Sequence, residues 1–142
     1  MNQRKFLLAG IAGGITYFFL GWLFYGILLA DFMKNHAGSA TGVDRQDMVF
    51  WSLILGNLFS GFLLSYIFVR WANITSAAAG AVAGAIIGFL TSAAYDFISY
   101  GVTNLSSKRG VLADIVTYTI LSAIAGAVVG AVAGMGKKAA IA

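Results

Sequence analysis

Five aspartates and one histidine are the chain's carboxyl and imidazole groups; it has 142 residues and no cysteine. Disulfides, thiolate metal sites and cysteine nucleophiles are therefore excluded. His36 stands alone, so no His cluster for metal or haem is possible, and neither a metal nor a cofactor is expected. Asp96 directly follows Tyr95 at the end of a long apolar run. An ionisable residue inside a membrane span is a functional hypothesis by default. Tyr95 and Asp96 are thus a candidate polar site, with an interfacial enzyme as the chemistry that would use them. The competing reading is a carboxylate at the membrane surface paired with Lys108 or Arg109. Asp114, Asp44 and Asp47 read as acids at helix starts, where the dipole favours them, and Asp44 is placed to cap a helix. Asn57 is the strongly polar side chain nearest the centre of an apolar run. Its amide can bond to another helix, a stabilisation of about 1 kcal/mol, or line a polar path with Ser60 and Thr91. No serine has a histidine base in the membrane. The glycine-rich stretches lie inside apolar runs, so they are not phosphate loops. Catalytic residues are not evident.

The elements that must hold these residues follow from composition. Hydrophobic residues make up 60% of the chain and charged residues 10%. A soluble domain carries about 25% charged residues, so this surface is made for lipid. Four apolar runs cover about residues 6–30, 48–69, 74–95 and 111–135, each near the 20 or so residues that cross a hydrocarbon core. In lipid every backbone donor needs an internal partner, so each run is predicted helical. The expected fold is all-α: one transmembrane domain over residues 1–142, built as an integral membrane four-helix bundle. Proline is absent, so no proline kink is signalled. Ser106 or Ser107 is expected to cap the fourth span, and Asn73 and Thr75 the third.

Four spans put both termini on one side. That side holds Arg4, Lys5, Arg70, Lys137 and Lys138; the other holds Lys34, Arg45, Lys108 and Arg109 and gathers the acids. Counting Lys and Arg alone, five against four favours cytoplasmic termini. The net charge of +4 reads as a topology signal, with no soluble domain to carry a nucleic-acid face.

Small residues recur every fourth position, which places them on one helix face. Gly80, Gly84 and Gly88 mark the third span, and Gly126, Gly130 and Gly134 the fourth, as in a GxxxG or glycine-zipper pattern. Ser52, Gly56 and Ser60 mark the second, with Gly61 and Ser65 on an adjacent stripe. Gly10 and Gly14 mark the first. In lipid, close backbone packing is a main source of helix association, so these are candidate helix-packing residues. Aromatic side chains concentrate in spans one and two. A shift of 70 residues superposes span one on three and span two on four, suggesting a tandem pair of two-helix units.

The segment Gly21-Trp22-Leu23-Phe24-Tyr25-Gly26, closing span one before a polar loop, resembles a bacterial family of small four-span membrane proteins of unknown function. In that family a proline often follows the tyrosine, where this chain has Gly26. The resemblance implies a bacterial inner (cytoplasmic) membrane and no activity. Three functions are then compatible with the residues. The first is a structural or interaction protein that packs through its small-residue faces with the lipid bilayer and with itself as a homo-oligomer, or within a larger membrane complex. The second is a small transporter or channel using Asn57, Ser60 and Thr91. The third is the interfacial enzyme at Asp96.

Overall fold

The computed structural model describes residues 2–136; Lys137 and Lys138 lie outside them. Four long helices run antiparallel in sequence order. Helix α1 covers Gln3–Leu23 and continues through a π-helical turn, Phe24–Leu28. A short α2, Ala30–Asn35, follows. Helix α3 spans Phe50–Tyr66 and ends in a second π turn, Ile67–Ala72. Helices α4, Ala77–Val102, and α5, Lys108–Gly134, complete the chain. Counting the π turns that extend α1 and α3, all four long helices are long and apolar enough to cross a membrane. The chain is an all-α, multi-pass membrane protein.

The boundaries differ from the sequence reading in instructive ways. Asp96 does not end the third span, because α4 continues through Phe97, Ile98 and Tyr100 to Val102. Asp114 lies beyond the first turn of α5, which starts at Lys108 and has no acid there. Asp44 does not cap α3, whose N-cap is Val49 without a side-chain bond. Ser76, rather than Asn73 or Thr75, caps α4 by accepting from Ala79 N–H at 3.2 Å. Asn73 instead closes the second π turn in the left-handed region, at φ 50°. Ser107 caps α5, accepting from Gly110 N–H at 3.2 Å.

The helices pack in the order α3, α1, α5, α4, with α1 against α3 and α5, and α4 against α5. Helix α5 therefore has neighbours on two sides. It supplies eleven buried residues against five each on α1 and α4. The core runs along it through Leu121, Ala125, Val129 and Ala133, which meet Ala9, Tyr17, Leu64 and Phe68. Glycine sets both hairpins. A Cβ on Gly14 would stand 2.8 Å from the Leu58 Cα, and one on Gly84 would stand 2.9 Å from the Gly126 Cα. On α3 the buried stripe is Gly61, Leu64, Ser65 and Phe68. Ser52 and Gly56 point away from the bundle, and nothing among the described residues lies within 4 Å of a Cβ on Gly56. The 70-residue superposition pairs Gly56 with Gly126, yet Gly126 is packed on Gly80 and Gly84. The two hairpins thus share a plan but not a register.

The loops at the far end from the N-terminus are tied together. Ala37 and Ser106 form an antiparallel bridge. Gly38 N–H donates to the Leu105 carbonyl at 2.9 Å, and Ala40 N–H to the Asn104 carbonyl at 3.0 Å. The Ser107 N–H and hydroxyl both donate to the His36 carbonyl, at 3.1 and 2.7 Å.

Candidate functional site

The contact between α4 and α5 changes character along its length. Near the N-terminal end of α4 it is backbone against backbone: Gly80 on Gly126 and Gly130, then Gly84 on Ser122 and Gly126. Gly88 next faces the Ser122 side chain. The same four-residue repeat continues on α4 to Ser92 and Asp96, and all five positions are buried. Running the other way on α5, it passes Gly130, Gly126 and Ser122 to Tyr118 and Asp114. By this register Ser92 lies level with Tyr118 and Asp96 with Asp114. The glycine groove therefore opens into a polar pocket of about 320 Å³ lined by Thr91, Ser92, Tyr95, Asp96, Asp114 and Tyr118.

Asp96 is 8% exposed and accepts a hydrogen bond from the Ser92 hydroxyl, one turn earlier, at 2.8 Å. Its partner is thus on its own helix, not Lys108 or Arg109. Each carboxylate is six residues from the nearer helix end, or about 9 Å at 1.5 Å per residue. A helix of this length exceeds the roughly 30 Å hydrocarbon core by about 9 Å. If that excess is shared between its ends, both acids sit about 5 Å inside the apolar layer.

Helix α1 and its π turn pack against two of the residues that line the pocket, Tyr118 and Asp114. Tyr17, 4% exposed, donates to the Ser122 hydroxyl at 2.8 Å and stacks on Tyr118 with centroids 5.9 Å apart. Tyr25, carried on the π turn, lies beside Asp114 and near Asp96. The π turn adds a residue to the helical repeat, which re-aims the side chains that follow. Tyr17→Phe should lower stability by about 1 kcal/mol, because the buried Ser122 oxygen loses its donor. Thermal unfolding in mild detergent would measure it.

The other candidate residues are placed elsewhere. Tyr95 stands at the pocket's lip, 72% exposed. Asn57 donates to the Leu53 carbonyl at 2.7 Å and Ser60 to the Gly56 carbonyl at 3.1 Å, each satisfied within α3. Thr91 belongs to the acid pocket and donates to the Ile87 carbonyl at 2.8 Å. Helices α3 and α4 lie at opposite ends of the row, so the structure does not bring Asn57, Ser60 and Thr91 into one path. Gly134 meets the Thr75 backbone, and Gly10 meets the Phe62 ring. His36 stacks on Phe32 at 4.1 Å, with Nδ1 2.8 Å from the Phe32 carbonyl oxygen.

Sequence reasoning missed the pairing of Asp114 with Asp96. The signal was present: the fourfold repeat that marks the glycines runs on to both acids. No family model, curated protein or solved structure matches the chain.

Proposed function

We propose that this protein binds a small organic cation in the Asp96–Asp114 pocket, entering from the face that carries the tied loops. The observation behind the reading is two carboxylates brought level inside the membrane-spanning region. Charged groups at such depth are costly and are kept where they serve a pathway or ligand. The surrounding groups suit an ammonium: carboxylates supply charge, Ser92 and Thr91 supply oxygens, and the Tyr95 and Tyr118 rings supply π faces. The volume is at the small end of the range for ligand pockets. Toward the other face, α4 and α5 are sealed by glycine backbone contacts, which favours one-sided capture over an open pore.

A second reading retains the interaction role. It is supported by the outward small-residue face of α3 at Ser52 and Gly56. We infer further that the membrane is a bacterial inner membrane with both termini in the cytoplasm. That orientation rests on the five-to-four count of Lys and Arg and would be read by a reporter fused after Lys138.

Titration calorimetry on the detergent-purified chain tests the binding reading. Choline is expected to bind saturably, and its neutral isostere 3,3-dimethylbutanol is not. Asp96→Asn with Asp114→Asn should weaken choline binding roughly 10- to 100-fold, as expected for loss of a charge-assisted contact. No saturable cation binding, or wild-type affinity in the double variant, would sink the reading.

A further inference from the structure

The opposite end of the molecule carries a second cavity, of about 420 Å³, between the start of α1, the π turn after α3, the connection to α4 and the end of α5. Lys5 and Arg70 reach it from two different spans, together with Asn2, Asn73 and Thr75. Its floor is apolar: Phe68 and Ala133 are 0% and 2% exposed. All five acidic side chains of the chain belong to the other end, so among the described residues no carboxylate lies near Lys5 and Arg70.

Backbone and side-chain donors add to the two cations. Helices α1 and α4 both begin here. A helix start carries N–H groups without intrahelical acceptors; its macrodipole is offset here by α5 and the π turn after α3, which end on the same face. The Ser76 side chain accepts only the Ala79 N–H on α4 and its carbonyl the Gly80 N–H; the Asn2 side chain accepts only the Lys5 N–H on α1 and its carbonyl the Phe6 N–H. The amide nitrogens of Asn2 and Asn73 and the Thr75 hydroxyl are additional donors.

The cavity's level in the membrane identifies the source of an anion. Trp71, 67% exposed, packs edge-on against Tyr66 with centroids 5.1 Å apart. Such exposed amphipathic rings mark the headgroup region. A basic pocket between spans at that level fits a phosphate whose attached chains continue into the bilayer. Free phosphate would be drawn by the same charges but would gain nothing from the half-buried Val69.

We propose that this cavity binds the phosphate of an anionic phospholipid headgroup. Native mass spectrometry of the delipidated full-length chain tests it. The probes are phosphatidylglycerol, phosphatidylcholine and inorganic phosphate. Phosphatidylglycerol should be retained at least tenfold better than phosphatidylcholine, and inorganic phosphate should not displace it. Lys5→Gln with Arg70→Gln should bring the two lipids to parity. The conservative pair Lys5→Arg with Arg70→Lys should keep the preference, as should Lys108→Gln with Arg109→Gln at the far end. Equal retention of both lipids by the unmodified chain, an unchanged preference in the Lys5 and Arg70 glutamine pair, or displacement by inorganic phosphate would each overturn the proposal.

Discussion

Gly84→Leu is expected to leave little folded protein, while Gly56→Leu is expected to be tolerated. Both are glycines in apolar spans, and both lie on a fourfold stripe of small residues. The difference lies in what a side chain would meet. At Gly84 the first added carbon collides with the Ser122 backbone carbonyl and stands 2.9 Å from the Gly126 Cα. Neither obstacle is a flexible side chain that can swing aside. Helix α4 would have to move bodily away from α5, its main partner. Overpacking a core costs about 1–3 kcal/mol where side chains can adjust, so a backbone collision should reach or exceed the top of that range. At Gly56 nothing among the described residues lies within 4 Å. There the change replaces a poor helix former with a good one, worth up to about 1 kcal/mol of helix propensity. Size-exclusion profiles and thermal unfolding in one detergent would compare the two. Similar losses for both variants would show that the α4–α5 backbone contact does not govern the fold.

Gly38→Val is expected to open the clasp between the loops without unfolding the spans. A Cβ on Gly38 would run into the Asn104 carbonyl group and stand 2.9 Å from the Leu105 carbonyl carbon. These backbone atoms accept the Gly38 and Ala40 bonds, so the side chain must displace the strand that it is meant to join. Each bond contributes about 1 kcal/mol net. Loss of two or three should therefore speed amide exchange at Ala40 and Ser107 by roughly 30- to 100-fold, given 1.4 kcal/mol per tenfold. Exchange within α1 and α5 should hold. Exchange that stays slow at those two amides would refute the clasp.

The spans were legible because a helix in lipid needs a long uninterrupted apolar run. Their ends were not. Asp96 looked like a terminus because a charge commonly marks the membrane surface, yet it faces the bundle and α4 continues for more than a turn beyond it. The four-residue spacing revealed the packing faces of α4 and α5, since both helices repeat glycine in step. On α3 it selected Ser52 and Gly56 when Gly61 and Ser65 make the contact. Spacing identifies candidate stripes; which one is buried depends on helix rotation, which is set by the partner. The pocket needed one more step, because its acids meet only once the α4–α5 register is known. The placement of Tyr25 beside Asp114 was harder still: it depends on a π turn, for which no proline or other marker stands in the sequence.

Helix α5 is the most enclosed of the four, and it is also the last of them to leave the ribosome. Until it arrives, α1 lacks its second neighbour and α4 has no substantial partner. Chains emerge from the N-terminus at about 5–20 residues per second, so α4 waits a few seconds with its glycine face open to lipid. Assembly is therefore completed late. The α1–α3 hairpin has its own glycine contacts, and the arrival of α5 joins it to α4, creating the acid pocket in the same step. A released chain ending before Gly110 would hold the first three spans, with the site's Asp96 present and its counterpart missing.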